Sequence, residues 1–258
     1  MRVFALSDPH LSYGTPNKTM DRFGPQWVDH ARTMATAWDA DVAADDLVLV
    51  PGDISWARDM EGARPDLQWL AERPGEKVLV KGNHEHWWPD SMSKLRAALP
   101  AGLHALSGDA LRLHGVAVCG TRLWDAPGVS YHDVIRWEGE PISPELTEAE
   151  AAAALKVYQR EVGRLDRALA ALDRSAPLRI AMLHYPPVAP APSAGAPLPS
   201  NELTERFERA GVQHVVFGHL HSLEPGARGR IGGTARGVTY HLAACDFIGF
   251  RPLLLAEV

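Results

Sequence analysis

Short apolar runs, several of them β-branched, recur along the chain, and each stops at a polar corner. Val3 to Leu6 ends at Ser7-Asp8-Pro9-His10, where Pro9 cannot continue a ladder and forces the turn. Asp46 to Val50 breaks at Pro51-Gly52-Asp53, and Val78 to Val80 stops at Gly82-Asn83-His84-Glu85, with Trp87 and Trp88 close behind. Leu178 to Leu183 delivers His184 before Tyr185-Pro186-Pro187, and His214 to Phe217 ends at Gly218-His219-Leu220-His221. A Gly- and Arg-rich loop, Gly226 to Gly237, separates these from two last strands, Val238 to Ala243 and Leu253 to Ala256.

Between the runs the apolar spacing lengthens to three and four. Helices are predicted over Gln26 to Ala40, with Trp27, Ala31, Met34 and Trp38 on one face, over Arg64 to Glu72, and over Ser91 to Leu99 with Ser91 as cap. A long helix opens at Ser143-Pro144-Glu145 and runs to about Asp173, and a shorter one runs from a Ser200 cap to about Ala210. Leu103 to Leu106, Ala110 to Leu113 and Val116 to Gly120 read as a meander adding strands to a second sheet. Alternation of strand and helix in the first third predicts βαβ units with parallel neighbours. In such sheets ligands gather at the carboxyl ends of strands, where these corners fall. Thr121 to Glu140 has no clear period and reads as an insertion that could roof the site. Pro187 to Pro199 reads as a stiff surface loop, with a PxxP ligand the rarer use of such a segment.

Composition narrows the classes. The 258 residues suffice for a large core, and one domain over 1–258 is the expectation. A hydrophobic content of 46% with 22% charged residues excludes disorder and little else. A net charge of −6 gives no basic footprint for duplex nucleic acid or an anionic membrane. The apolar start MRVFAL is too brief for a signal-peptide core, and nothing approaches the roughly 20 apolar residues of a spanning helix. A cytoplasmic protein without membrane insertion is therefore expected. Cys119 and Cys245 lack CxxC spacing and read as reduced core residues.

The corners carry two Asp, one Asn and several His, a donor set that suits Mn²⁺, Fe²⁺, Zn²⁺ or Co²⁺ better than Ca²⁺. Two ions roughly 3.5–4 Å apart can clamp the attacking and leaving oxygens of an in-line phosphoryl displacement and lower the pKa of a bridging water. A phosphate ester is the substrate that needs this most. Any one histidine taken singly is more often packed or solvated, and His30, His104, His114, His132, His214 and His241 stay in that class. His86 is undecided. Trp56, Trp87, Trp88 and Trp124 read as core before substrate platforms, and Arg22, Arg58 and Lys81 as solvated charges that could instead hold a substrate phosphate.

The five blocks in order, Asp8-x-His10, Gly52-Asp53, Gly82 to Glu85, a lone His184 and Gly218-His219-x-His221, resemble the calcineurin-like metallophosphoesterase superfamily and run through nearly the whole chain. The resemblance implies an α/β fold, a four-layer αββα sandwich of two mixed β-sheets flanked by helices. By position it implies two divalent metals, manganese foremost, with Asp8, His10 and His221 on the first, Asn83, His184 and His219 on the second, and Asp53 bridging them. His84 would be no ligand; it would stabilise developing charge or protonate the leaving oxygen. Gly82 would let the backbone bend, and Glu85 would hold the turn. Two departures narrow the kinship. Protein serine/threonine phosphatases of the superfamily continue the GD block with an acidic residue and Arg-Gly, where this chain has Ile54-Ser55-Trp56-Ala57-Arg58, and purple acid phosphatases place a ligand Tyr where Trp56 stands. What remains is similar to small bacterial phosphoesterases, including cyclic-nucleotide phosphodiesterases, whose His-His-Pro block is replaced by His184-Tyr185-Pro186. The expected activity is hydrolysis of phosphate esters, diesters before monoesters, by a metal-bridging hydroxide. A phosphomonoesterase, a nucleotide or lipid pyrophosphatase, and a non-catalytic scaffold on the same fold are the alternatives.

Overall fold

A computed structural model describes residues 1–136 and 147–258. The first third alternates as the apolar pattern predicts: β1 (Arg2–Ala5), α1 (His30–Asp41), β2 (Leu47–Val50), α2 (Met60–Glu72), β3 (Glu76–Val80), α3 (Met92–Ala98) and β4 (Leu103–Leu106). Then come β5 (Asp109–Leu113), β6 (Val116–Thr121), α4 (Glu148–Ala171), β7 (Leu178–Leu183), α5 (Glu202–Ala210), β8 (His214–Phe217), β9 (Gly233–Ala235), β10 (Val238–Leu242) and β11 (Leu253–Glu257). One sheet runs β11-β1-β2-β3-β4 and the other β5-β6-β7-β8-β10-β9. Each is mixed: neighbours in the middle are parallel, while β11, β5 and β9 pair antiparallel at the edges.

The two-residue period of the strands sorts their side chains into layers. Val3, Leu47, Leu49, Val78 and Val80 face Val118, Ile180, Met182 and Val216 in a layer between the sheets. Phe4, Val48, Val50 and Leu79 turn the other way onto Met34, Trp38, Leu67, Leu70 and Leu95 of α1, α2 and α3. On the opposite outer face Cys119, Ala181, Leu183, Val215 and Phe217 meet Leu165, Leu169, Leu203 and Phe207 of α4 and α5. Helix, sheet, sheet, helix is thus the order of layers. Strands covered on both faces must be apolar throughout, which is why β2 and β7 are nearly unbroken runs. Burying each such Val or Leu contributes about 1.5–3 kcal/mol.

Several boundaries differ from the pattern. α1 begins at His30; before it Pro25–Trp27 forms a 3-10 turn, so Trp27 leaves the helix face and packs at the site instead. α2 starts at Met60, four residues before the expected Arg64, capped by Asp59 through the Gly62 N–H, with Pro65 inside its second turn. β4 joins the first sheet, parallel to β3, because the α3 crossover returns it there, and only β5 and β6 form the antiparallel start of the second sheet. The expected helix start at Ser143-Pro144-Glu145 lies outside the described residues; within them, α4 is capped by a reciprocal Thr147–Glu150 box. Asn201, one residue beyond the expected Ser200, caps α5. The Pro187 to Pro199 segment is anchored by Val188, Ala191 and Leu198, which are buried against the second sheet. Cys119 and Cys245 are free and buried. Among the described residues no helix is long and apolar enough to cross a membrane.

Candidate metal centre

The carboxyl ends of β1, β2 and β3 carry Asp8 and His10, Asp53, and Asn83 and His84; those of β7 and β8 carry His184, His219 and His221. All of these residues meet across the seam between the sheets. Backbone bonds lock the corners together: Asp8 N–H to Gly52 O (3.0 Å), His10 N–H to Asp53 O (3.0 Å) and Gly218 N–H to His184 O (3.1 Å). Asp8, His10, Asp53 and His219 take positive φ values of 58°, 45°, 52° and 73°, a region that costs non-glycine residues energy and persists where surroundings enforce it. Gly82 does not; it is needed for clearance, since a Cβ there would collide with Asp53 Oδ1.

Two groups of donors result. Donor atoms of Asp8, His10 and His221 lie within 4.8 Å of one another, as do those of Asp8, Asp53 and His184. His10 Nε2 and His221 Nε2 are 3.2 Å apart. Asn83 Oδ1 lies 2.6 Å from His184 Nε2 and 3.0 Å from His219 Nδ1. Between the groups, Asp53 Oδ2 is 3.8 Å from His10 Nε2 and 3.6 Å from His184 Nε2.

This donor set fits cations. His184 spends its Nδ1–H on Pro51 O at 2.9 Å, so its Nε2 turns a lone pair toward the Asn83 carbonyl oxygen. His221 commits Nδ1 to Asp246 Oδ1 at 2.8 Å and aims Nε2 at His10. The lone pairs of His184 Nε2 and Asn83 Oδ1, converging in a buried space, repel one another unless a positive ion sits among them. The unpaired, buried His10 Nδ1 marks the same site as polar beyond what its neighbours satisfy.

The electrostatics agree. Burial pushes Asp53 up to about 8, with the charge of Asp8 adding to it. Asp8 stays well below the usual carboxylate range: burial would raise it, but the His221 hydrogen bond and the surrounding imidazoles overcome that. Burial, then neighbouring imidazoles, lower His219 to about 3 and His84 to about 4, and burial also lowers His10 and His184. His221 alone rises, to about 10, because bonds to Asp246 and Asp8 outweigh its desolvation. Two carboxylates repelling in a dry pocket are what bound cations relieve.

Asp246 was not singled out by sequence reasoning. Asp246 follows β10 and takes both the His221 Nδ1–H and the Ser222 N–H (3.0 Å); its signal was one more acidic residue at a strand end. Trp27 lies edge-on to His221 with centroids 5.5 Å apart. Trp56 stacks on His10 at 4.8 Å and 19°, Tyr185 lies 4.2 Å from the His219 ring and also meets Trp124, and Trp87 and Trp88 are core. Glu85, buried, accepts the N–H groups of Gly82, Asp53, Ile54 and Ser55. His84 stands 36% exposed with Nε2 3.9 Å from Asp53 Oδ2. His86 and Arg58 face solvent. His30 is buried between Trp27 O and Pro9 O, His104 and His114 pair with Glu76, and His214 pairs with His241.

A family model described as calcineurin-like phosphoesterase matches residues 1–223. The chain is 37% identical over 90 residues to the gene 66 protein of Mycobacterium phage D29, covering 34% of this chain and 42% of that protein. It is 44% identical over 57 residues to the gene 66 protein of Mycobacterium phage L5, covering 22% and 27%. The matches thus span less than half the length of either relative. Among solved structures, GAP50, the anchor in the inner membrane complex of Plasmodium, superposes with a TM-score of 0.51 at 10% identity, over 95% of this chain and 71% of that one. Phosphopantetheinyl hydrolase from Mycobacterium tuberculosis gives 0.50 at 14% identity, over 100% and 96%. Likeness at such identities is one of fold.

Proposed function

The chain belongs to the calcineurin-like phosphoesterase family, and we propose that it is a metal-dependent phosphoesterase that hydrolyses phosphodiesters at a dinuclear centre. Asp8, His10 and His221 would hold one ion, Asn83, His184 and His219 the other, and Asp53 would bridge them. The observation that carries this reading is the placement of Asp53 Oδ2 between His10 Nε2 and His184 Nε2, at 3.8 and 3.6 Å. Two bound divalent ions, Mn²⁺ foremost, would supply Lewis acidity and a nucleophile at neutral pH.

The chain's own residues orient and finish the reaction. Pro51 O and Asp246 fix the tautomers of His184 and His221, so that each presents Nε2 to the centre. His84, at the open side and lowered to about 4, is neutral at pH 7 and donates an N–H to the phosphoryl or leaving oxygen. A diester fits better than a monoester on charge. A monoester dianion brings one more negative charge, and among the described residues no Lys or Arg pairs with any of these side chains. A cytoplasmic setting is supported by the two free, buried cysteines.

The test compares bis(4-nitrophenyl) phosphate with 4-nitrophenyl phosphate on the Mn²⁺-loaded protein. The diester is expected to have the higher kcat/KM. His84→Ala should lower kcat by about 10²-fold or more with metal content unchanged, and Asp53→Asn should lose metal. A preference for the monoester overturns the diesterase reading, and silence on every phosphate ester with every divalent metal overturns the catalytic one.

A further inference from the structure

Behind His221 lies a cavity of about 550 Å³, within the range of small-molecule sites, whose wall includes Arg22, Arg136, Arg228, Ser222, Asp246 and Phe247. It shares a wall with the metal centre. Ser222 directly follows His221, and Asp246, which holds the His221 Nδ1–H at 2.8 Å, also lines the cavity. Arg136 is tied to the same loop, its N–H donating to Ser222 O at 2.7 Å.

The guanidiniums at this cavity are barely neutralised. Among the described residues Arg22 and Arg228 have no carboxylate partner; they rest instead over the rings of Phe23 and Phe247, at 5.0 and 4.8 Å. Arg136 reaches Glu224 only at 4.0 Å. Among the described residues Asp246 is the acidic side chain of the lining, and both its oxygens are taken, by His221 and by the Ser222 N–H. Three like charges around one cavity, in a chain of net charge −6, repel one another unless an anion joins them. Planar guanidinium forks match phosphate oxygens.

We infer that this cavity is a subsite for a second phosphate group on the substrate, set one side chain away from the scissile phosphorus. The inference rests on the phosphoesterase reading for the position of that phosphorus. It narrows the substrate to phosphoesters that carry another phosphate, such as a phosphorylated nucleotide ester.

Two arms test it. Thymidine 5′-(4-nitrophenyl phosphate) and its 3′-phosphorylated counterpart release the same leaving group and differ by one phosphate. The 3′-phosphorylated ester is expected to have about tenfold higher kcat/KM, expressed in KM, and the double variant R22A/R228A should abolish that advantage while leaving the plain ester's rate intact. In the second arm, thymidine 3′,5′-bisphosphate is titrated calorimetrically into metal-free protein, where the double variant should bind about tenfold more weakly and added salt should erode the difference. Equal kcat/KM for the two esters, unchanged in the double variant, overturns the subsite and leaves the diesterase standing. Hydrolysis of neither ester overturns the diesterase reading, and the binding arm then decides the subsite alone: equal binding by both proteins refutes it.

Discussion

Replacing Glu85 tests whether one carboxylate holds the two central turns together. Its Oε2 accepts the N–H groups of Asp53 (2.8 Å) and Gly82, and its Oε1 those of Ile54 and Ser55 (3.3 Å), all away from water. Hydrogen bonds to a charged acceptor contribute roughly 1.5–3 kcal/mol each, and a buried N–H left without a partner costs about 1–3 kcal/mol. The Ser55 bond is long and counts for less, water will enter the vacated space, and burial, with the charge of Asp53 adding to it, raises Glu85 to about 8, so the carboxyl carries only part of its charge at pH 7. Glu85→Ala should therefore cost about 3–5 kcal/mol. Glu85→Gln keeps one acceptor oxygen and sets an NH₂ against the other pair of donors, so it should cost about half as much. The assay is urea unfolding in excess chelator, which removes any contribution from bound metal, with elemental analysis of reloaded protein alongside. The Ala variant should also hold less metal, because Asp53 sits on the turn that Glu85 secures. A loss below about 1 kcal/mol for Ala, or equal losses for Ala and Gln, would refute the argument.

Two other outcomes follow from the same geometry. Asp246→Asn keeps a hydrogen-bonding oxygen but removes the charge that raises His221, so metal affinity should drop about 10–100-fold while the fold persists; unchanged metal retention in competition with a graded chelator would count against it. In metal-free protein at pH 7, Asp53, raised to about 8, and His221, raised to about 10, both hold protons that ligation must displace. Metal affinity should thus climb steeply with pH up to about 8, more gently above it, and release about two protons at pH 7, measurable by calorimetry in buffers of different ionisation enthalpy; pH-independent affinity would contradict this.

Much of the site was legible because its chemistry sits at the ends of apolar runs. A strand reveals itself by side-chain type, and the next polar residues must lie at its carboxyl end, so Asp8, Asp53, Asn83, His184 and His219 could be placed before any coordinates. Helix starts were less legible, since Pro65 marks a first turn as readily as it sits inside α2. β4 was assigned to the wrong sheet because four residues bounded by turns carry no information about which edge they join. Asp246 was missed for a related reason: its role depends on distance to His221, 25 residues earlier, and no periodicity encodes that.

The candidate metal centre belongs to neither sheet, and this explains where the chain tolerates strain. Asp8, Asp53 and Asn83 arrive from the first sheet and His184, His219 and His221 from the second, so the spacing of any two ions depends on how the sheets face one another. That facing is fixed by a close-packed layer of Val, Leu, Ile and Met, which cannot be adjusted by a fraction of an ångström without opening voids. The loops must therefore absorb the fit. They do so with left-handed Asp8, His10, Asp53 and His219, and with backbone pressed so near the opposite sheet that a Cβ on Gly218 would collide with Ser7 Oγ and Asp8 Oδ2. The His219 N–H, held against Asp8 Oδ1 at 3.1 Å, crosses the same seam. Gly218 is then a clearance between two rigid bodies rather than a hinge. Gly82 and Gly218 stand directly before Asn83 and His219 because these side chains can converge only where the backbone behind them has no side chain.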